Sequence, residues 1–367
     1  MNCAVGPERR LAQLRRRLHE EGLPPLLITH NLNLRYLTGF TGSAGVALVS
    51  ATRAAIFVDS RYYLQAEREA PLFELVKVPP GRETFDVVAA FLREAGVAEV
   101  GFETSLSYGG YQELSEKANG ILLKPVKGVV EELRRVKDAG EIACHRQAAA
   151  IVDACFQHLL GYLKPGITER AVAVEIECFL RRKGAEREAF ESIVASGPSA
   201  ASPHAHATEK VIQAGELVKM DFGAMFGGYA ADLTRTVAIQ RADARQREVY
   251  HVVLEAQEAA IAAIRPGVKG SEVDQVARER IAARGYGDYF GHGLGHSLGL
   301  HVHDGPALSQ TSAVVLEPGM VVTVEPGIYL PGWGGIRIED DVVVTETGVE
   351  VLTRAPKEFT VVGAAWG

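Results

Sequence analysis

The sequence of 367 residues lacks several features that would have indicated a particular class of protein. None of its apolar runs approaches the ~18 residues that a transmembrane helix needs. Its 39 lysines and arginines are outnumbered by 46 acidic residues, and they form no basic stripe of the kind that binds nucleic acid. The four cysteines have no CxxC spacing, and the start of the chain is charged where a signal peptide would be apolar. We therefore expect a cytoplasmic protein with unreactive thiols, without membrane or nucleic-acid partners.

The composition is otherwise that of an ordinary globular protein, with 47% hydrophobic and 23% charged residues. In the first part of the chain, Leu11, Leu14 and Leu18 recur at helical spacing, and short apolar runs typical of strands follow. A charge-rich helical segment then marks a change of composition. We predict an α/β domain over residues 1–130 and a second domain over residues 131–367.

The second domain contains an internal repeat. The segment LKPGITE at Leu163–Glu169 resembles IRPGVKGSE at Ile264–Glu272, and AGELVKMDFG at 214–223 resembles PGMVVTVEPG at 318–327. In each half a helical pattern precedes a Pro-Gly turn, and a strand pattern later leads to an acidic residue. The repeat predicts two helix–helix–hairpin halves related by a pseudo-twofold axis around a shared site.

Four acidic residues take matching places in these halves. Asp221 and Glu325 lie on the outgoing strands, and Asp232 and Glu339 lie on the returning strands. Because side chains alternate along a strand, a turn at Gly227-Gly228 puts the first two acids on one face, and the same parity applies to the second hairpin. Four buried carboxylates need positive compensation. Divalent ions supply it better than the few lysines and arginines nearby.

Histidines are concentrated in the segment GHGLGHSLGLHVHD. Its glycines allow close backbone approach, so His292, His296, His301 and His303 are all candidate ligands or acid–base groups. The segment is not the HExxH helix of zinc proteases, and no GxGxxG loop follows a strand. The histidines therefore point to a metal site of another kind.

Together these motifs resemble the creatinase/methionine-aminopeptidase superfamily, and most closely its Xaa-Pro peptidases, aminopeptidase P and prolidase. The resemblance covers nearly the whole chain. It rests on SGPSAASPHAHATEK, VKMDFGAMFGGYAADLTRT, GHGLGHSLGLHVHD, TVEPGIYLPG and GIRIEDDVVV, and earlier in the chain on YLTGFTGSAG and FVDSRYYLQAE. It implies an α/β N-terminal domain followed by an α+β catalytic domain with the pita-bread fold.

The resemblance also implies two divalent metal ions, with manganese expected first and cobalt, zinc or iron as alternatives. The implied metal ligands are Asp221, Asp232, His296, Glu325 and Glu339. Thr234 would not bind metal itself but would orient the ligand Asp232.

Other positions match residues that act on the substrate in the family. His204 would face the substrate, with His206 as a substitute, and His292 would lie beside the proline pocket. Arg337 would lie next to a bridging acid at the substrate site, and His303 would steady the tetrahedral intermediate. Glu325 would carry the proton as well as bind metal.

The implied reaction is hydrolysis of the bond between an N-terminal residue and a following proline. The stretches GFTGSAG and DSRYYLQAE favour aminopeptidase P, which accepts longer peptides. The alternative is a prolidase, restricted to dipeptides, and a more remote one is a non-catalytic binding protein of the same fold. We expect peptides with proline at the second position as partners, and a homodimer.

Overall fold

The structure, a computed structural model, describes residues 6–363. Within this range the chain divides into two compact units, one ending at residue 134 and one beginning at residue 135. None of the helices in residues 6–363 combines the length and the apolar character that a membrane span requires.

The first unit is an α/β domain built around a six-stranded sheet. Its elements are α1 (Pro7–Glu20), β1 (Leu26–Ile28), α2 (Asn31–Thr38), β2 (Val46–Val49), β3 (Ala54–Asp59), α3 (Tyr63–Glu69), β4 (Glu74–Val78), α4 (Thr84–Glu94), β5 (Glu99–Glu103), α5 (Tyr108–Lys117), β6 (Leu122–Val126) and α6 (Val129–Arg135). The strand order is β4-β3-β2-β1-β5-β6. The leucine stripe of α1 is buried, as its spacing predicts, at Leu11, Leu14 and Leu18.

The second unit is the α+β domain that the repeat predicts. Its helices are α7 (Ala139–Tyr162), α8 (Glu169–Arg182), α9 (Ala244–Ala263) and α10 (Gly270–Ala283), with 3₁₀ turns at Gly197–Ala201 and Gly287–Tyr289. Its strands are β7 (Arg187–Glu188), β8 (Ile193–Ser196), β9 (Leu217–Phe226), β10 (Tyr229–Ile239), β11 (Gly295–His296), β12 (Ala307–Leu308), β13 (Val321–Val324), β14 (Gly327–Leu330), β15 (Gly334–Arg337), β16 (Asp340–Val344), β17 (Val349–Val351) and β18 (Val361–Val362).

The internal repeat appears in the fold as two helix pairs, each followed by a β-hairpin. Helices α7 and α8 precede β9 and β10, and helices α9 and α10 precede β13 to β16. Matching backbone contacts close the Pro-Gly turns: the Gly166 N–H donates to Ile212 O at 3.0 Å, and the Gly267 N–H donates to Leu316 O at 2.9 Å. Both glycines have left-handed backbones, with φ of 92° and 85°, which favour glycine. The predicted pseudo-twofold arrangement is confirmed.

Each hairpin packs on the helices of its own half. Phe156 of α7, Val172 of α8 and Phe222 of β9 belong to one buried cluster. Val253 of α9 and Val324 of β13 belong to a second. These apolar layers hold the hairpins rigidly, so that Asp221 and Asp232 are placed directly by packed strands, and Glu325 and Glu339 by the ends of the strands on either side of them.

The cysteines depart in part from the expectation of free thiols. Cys155 and Cys178 are free, and burial raises the pKa of Cys155 to about 12, which makes that thiol unreactive. Cys144, in contrast, is disulfide-bonded, so the expectation is wrong there. Cys3 lies outside the described residues.

Candidate metal centre and active site

The first hairpin has the register that its glycine turn predicts. Asp232 pairs with Gly223, and Asp221 pairs with Thr234. At the turn, Gly227 and Gly228 have φ of 59° and 85°, the conformation that a tight hairpin needs. Asp221 and Asp232 therefore share one face as diagonal neighbours, and their side chains are buried.

The second hairpin interrupts its ladder at its two acids. Strands β13 and β16 and strands β14 and β15 pair in one register, which places Glu325 opposite Glu339 in the gap between the two ladders. At this gap the backbone N–H groups of the two acids bond to residues outside the hairpin. The Glu325 N–H donates to Leu294 O at 2.8 Å, and the Glu339 N–H donates to Thr234 O at 3.1 Å. Pro326, which has no N–H to donate, only accepts the Ile338 N–H, at 3.5 Å.

The four acids meet in a cavity of about 320 Å³ in the second unit. Most of the predicted site residues line it, together with apolar and polar residues that the sequence reasoning did not single out. The lining residues are Phe190, Glu191, Ile193, His204, His206, Asp221, Asp232, His296, Val302, His303, Glu325, Arg337 and Glu339.

The donor set fits a hard divalent cation. Asp221 Oδ1, Asp232 Oδ1 and Glu339 Oε1 are buried without a hydrogen-bond partner, an arrangement that is costly unless a cation is bound. Ligand atoms of Asp232, His296 and Glu339 all lie within 4.8 Å of one another. His296 Nε2 is 3.7 Å from Asp232 Oδ2 and 3.4 Å from Glu325 Oε1. Oxygen ligands with one imidazole are the set that suits manganese, cobalt, iron or zinc.

The electrostatics also call for positive charge. Burial, followed by repulsion from neighbouring carboxylates, raises the pKa of Asp232 and of Glu339 well above the ordinary values. Burial raises the pKa of Glu325 to about 7 against the opposing effect of Arg337. Burial and then the neighbouring His303 lower the pKa of His296 to about 4, so its imidazole is neutral, the form that binds metal. A cation among these groups would favour the ionised carboxylates.

One buried arginine lies inside this cluster. Arg337 donates from Nη2 to Asp221 Oδ2, from Nη1 to Tyr329 Oη at 2.8 Å and from Nε to Thr234 Oγ1 at 3.0 Å. Its Nε is also 3.7 Å from Glu325 Oε2. One guanidinium thus offsets part of the charge of four acids, which leaves most of the compensation to other cations.

Thr234 supports a different acid from the one expected. Its hydroxyl donates to Glu339 Oε2 at 2.7 Å, so the expected contact with the Asp232 carboxylate is wrong. The backbone N–H of Asp232 instead donates to Asp341 Oδ2 at 2.9 Å. The hydroxyl faces the other hairpin because Thr234 lies where the two halves meet.

The histidine-rich segment folds back on itself. The Asp304 N–H donates to Ser297 O at 2.9 Å, and Asp304 Oδ2 accepts the Leu300 N–H at 2.8 Å. This turn brings the rings of His296 and His303 to a centroid distance of 4.3 Å, although an extended strand would put them on opposite faces.

Two other histidines of the segment lie apart from the acids. His292 Nε2 is 2.9 Å from Tyr329 Oη, and His292 lines a separate cavity of about 460 Å³ with Arg278 and Phe290. His301 is exposed, and its Nδ1 accepts the backbone N–H of His303 at 3.1 Å. Neither lines the cavity that contains the acids.

The sequence reasoning passed over several residues of the site. Phe190, Ile193 and Val302 form an apolar wall of the cavity. Lys219, on β9, is completely buried. A signal for Lys219 was present, because a residue two positions before Asp221 on the same strand must share its face.

Gly295 places His296 by close backbone contact, which leads to a stability prediction. A Cβ on Gly295 would lie 2.1 Å from Thr323 O, whereas one on Gly291 would meet nothing within 4 Å. Gly295→Ala is expected to lower the free energy of unfolding by about 1–3 kcal/mol, since the backbone of β13 has to move. Thermal unfolding of Gly295→Ala beside the control Gly291→Ala tests this; equal midpoints would show that the contact is unimportant.

Comparison with known proteins identifies the family to which the chain belongs. Residues 143–346 match the family model of metallopeptidase family M24, and residues 10–136 match that of the creatinase/prolidase N-terminal domain. The chain belongs to metallopeptidase family M24. The predicted resemblance to the Xaa-Pro peptidase branch of the superfamily, and the predicted pita-bread fold, are confirmed.

Three similar proteins have been described by activity. The structure of an Xaa-Pro dipeptidase from Bacillus anthracis is 43% identical, with a TM-score of 0.94 over 97% of this chain and 100% of that one. An Xaa-Pro dipeptidase of Pyrococcus horikoshii is 37% identical over 93% of this chain and 96% of its own length. The structure of an X-Pro aminopeptidase from Thermotoga maritima is 38% identical, with a TM-score of 0.89 over 94% of this chain and 100% of that one.

Proposed function

We propose that this family M24 metallopeptidase is an Xaa-Pro dipeptidase that works with two divalent metal ions. The observation that carries the proposal is the cavity in which four buried acids and His296 converge, with three carboxylate oxygens that lack a hydrogen-bond partner. The dipeptidases of Bacillus anthracis and Pyrococcus horikoshii support the choice of substrate.

This choice differs from the preference that the sequence motifs favoured. Aminopeptidase P activity on longer peptides was the first expectation, and dipeptide hydrolysis the alternative. The alternative has the better support, because two of the three similar proteins named above are described as Xaa-Pro dipeptidases. Longer Xaa-Pro peptides remain a second candidate, supported by the X-Pro aminopeptidase of Thermotoga maritima.

The metal ions would be held by the five residues whose donor atoms surround the cavity. These are Asp221, Asp232, His296, Glu325 and Glu339. When bound, such ions polarise a peptide carbonyl and make a water molecule acidic enough to attack at neutral pH. The non-catalytic alternative is disfavoured because the complete set of ligands is present.

The side chains of the chain itself would move the proton and stabilise charge. Glu325 takes a proton from the attacking water and delivers it to the proline nitrogen as the carbon–nitrogen bond breaks. His303, exposed at the cavity beside His296, donates a hydrogen bond to the carbonyl oxygen as it becomes negative. His204, which also lines the cavity, holds the substrate.

The cavity favours a small substrate with apolar surface. Its volume of about 320 Å³ is at the lower end of the ~300–1,000 Å³ range of ligand pockets. Phe190, Ile193 and Val302 offer apolar contact for a pyrrolidine ring or an apolar first residue. His292 and Arg337 were expected to bind substrate. We now propose that Arg337 acts through Asp221, to which it is hydrogen-bonded.

A series of peptides of increasing length tests the proposal. With manganese added, we expect kcat/KM for an Xaa-Pro dipeptide to exceed that for the matching Xaa-Pro-Xaa tripeptide by about tenfold or more, a difference that ordinary subsite contacts supply. The matching Xaa-Ala dipeptide is the control for proline. Faster cleavage of the tripeptide would restore the aminopeptidase P assignment, and no cleavage of any Xaa-Pro peptide would refute the proposal.

The metal, the assembly and the location stay predictions. Manganese is expected first, and its replacement in turn by cobalt, zinc and iron in the same assay ranks the alternatives. The homodimer is checked by the molar mass in solution. Cytoplasmic location remains the expectation from the sequence.

A further inference from the structure

A lysine is completely buried beside the metal centre, and the proposed mechanism does not use it. Lys219 lies on β9, two residues before Asp221, with no exposed surface. Its Nζ is 2.6 Å from Ser202 O, 3.1 Å from Pro203 O and 3.3 Å from Ala200 O. The Lys219 amino group thus donates hydrogen bonds to the backbone of one short segment, residues 200–203.

The segment that supplies these carbonyls is also held from the second hairpin. Arg337 Nη1 donates to Pro203 O at 3.2 Å. A Cβ on Gly335 would lie 2.0 Å from Ala200 O, so the backbone of β15 packs directly on the segment. A basic side chain from each half of the repeat, Lys219 and Arg337, therefore donates to the same short stretch of backbone.

The residue that follows this stretch is His204. Its side chain is exposed and lines the cavity of the metal centre, whereas its backbone follows directly on the anchored Pro203. An exposed side chain has no packing of its own to fix its position, so the anchored backbone fixes it. The Lys219 Nζ also lies over the Tyr329 ring, 5.1 Å from its centroid, a contact that further restricts the amino group.

We propose that Lys219 is a positioning residue that anchors the 200–203 segment and thereby holds His204 at the substrate cavity. The kinetic consequence rests on the proposed Xaa-Pro peptidase function, whereas the structural consequence does not. A purely structural lysine would stabilise the whole unit. A positioning lysine acts on one segment and on substrate binding.

Hydrogen exchange tests the anchoring without any assay of activity. In Lys219→Met, which keeps the length but removes the N–H donors, we expect amides of residues 198–206 to exchange about tenfold faster or more, and those of α9 to be unchanged. Lys357→Met is the matched control, because Lys357 binds Asp340 at 2.8 Å elsewhere in the same unit. Unchanged exchange in 198–206, or equal acceleration throughout, would overturn the proposal.

Kinetics test the link to His204. We expect Lys219→Met to raise KM for an Xaa-Pro dipeptide about tenfold while kcat and bound metal stay within about threefold of wild type. In combination with His204→Ala, the two effects on KM should not add, because both remove the same contact. Full additivity would overturn the proposal.

Failure of the variant to fold, failure of the proposed function and failure of the anchoring give different results. If methionine prevents folding, Lys219→Gln keeps two N–H donors and is tested with the same readouts, and its failure to affect either would refute the proposal. If wild type cleaves no Xaa-Pro peptide, the proposed function fails while the exchange result still decides the anchoring. If wild type cleaves and Lys219→Met is identical to it, only the anchoring fails.

Discussion

Replacement of Glu325 by glutamine is expected to lower kcat/KM by a factor of about 10²–10⁴. The amide keeps the size of the side chain but can neither accept the proton of the attacking water nor deliver it to the proline nitrogen. The fold should persist, because the contacts of Glu325 in the cavity are electrostatic rather than part of the apolar core: its Oε1 is 3.4 Å from His296 Nε2 and 3.3 Å from Thr323 Oγ1. Steady-state hydrolysis of an Xaa-Pro dipeptide measures the loss.

A control separates this effect from the general loss of one acidic group. Glu346 is exposed on the same unit, and Glu346→Gln should leave kcat/KM unchanged. Retained full activity of Glu325→Gln, with metal still bound, would disprove the role of Glu325 as the proton carrier.

Replacement of Asp232 by asparagine is expected to have opposite effects on metal binding and on stability. Divalent-ion affinity should fall by about 100-fold or more, since a central charged ligand is lost. The metal-free protein should become more stable. Folding raises the pKa of Asp232 through burial and the repulsion of Glu339, so at any pH above its unfolded pKa this carboxyl destabilises the metal-free fold.

Thermal unfolding with and without manganese measures both effects. A gain of about 1 kcal/mol would raise the midpoint of metal-free Asp232→Asn by roughly 2–4 °C, and added manganese should stabilise wild type but not the variant. Asp288, exposed on the 3₁₀ turn Gly287–Tyr289, supplies the control Asp288→Asn. A variant that manganese stabilises as much as wild type would exclude Asp232 as a ligand.

The first hairpin could be predicted closely from sequence because its register depends on local chemistry. The Gly227-Gly228 pair adopts the left-handed backbone of a tight turn, and pairing then counts outward from it. Asp221 and Asp232 share a face for that reason alone.

For the second hairpin, only the face of the strand on which each acid lies could be predicted. Its ladder breaks where Glu325 and Glu339 bond to Leu294 and Thr234, which come from other parts of the chain. Such contacts depend on the assembled fold rather than on spacing. For the same reason, spacing could not predict the partner of the Thr234 hydroxyl. It bonds to Glu339 of the second hairpin rather than to Asp232 of its own hairpin.

The surroundings of the metal centre were the least predictable part. Lys219 binds backbone carbonyls, and any residue type can present a carbonyl, so no pattern of side chains reveals the contact. The juxtaposition of His296 and His303 depends on a turn closed by the Asp304 carboxylate. The resemblance to a family predicted that both histidines belong to the site, whereas strand parity alone would have placed them on opposite faces.

The proposed function requires that Asp221, Asp232, His296, Glu325 and Glu339 together hold two divalent ions. The most direct test counts metal ions per chain in purified protein while the rate of Xaa-Pro dipeptide hydrolysis is measured, as ions are removed by a chelator and returned. We predict two ions per chain at full activity, with activity lost and regained in step with occupancy. Full activity in protein stripped of divalent ions would contradict the claim.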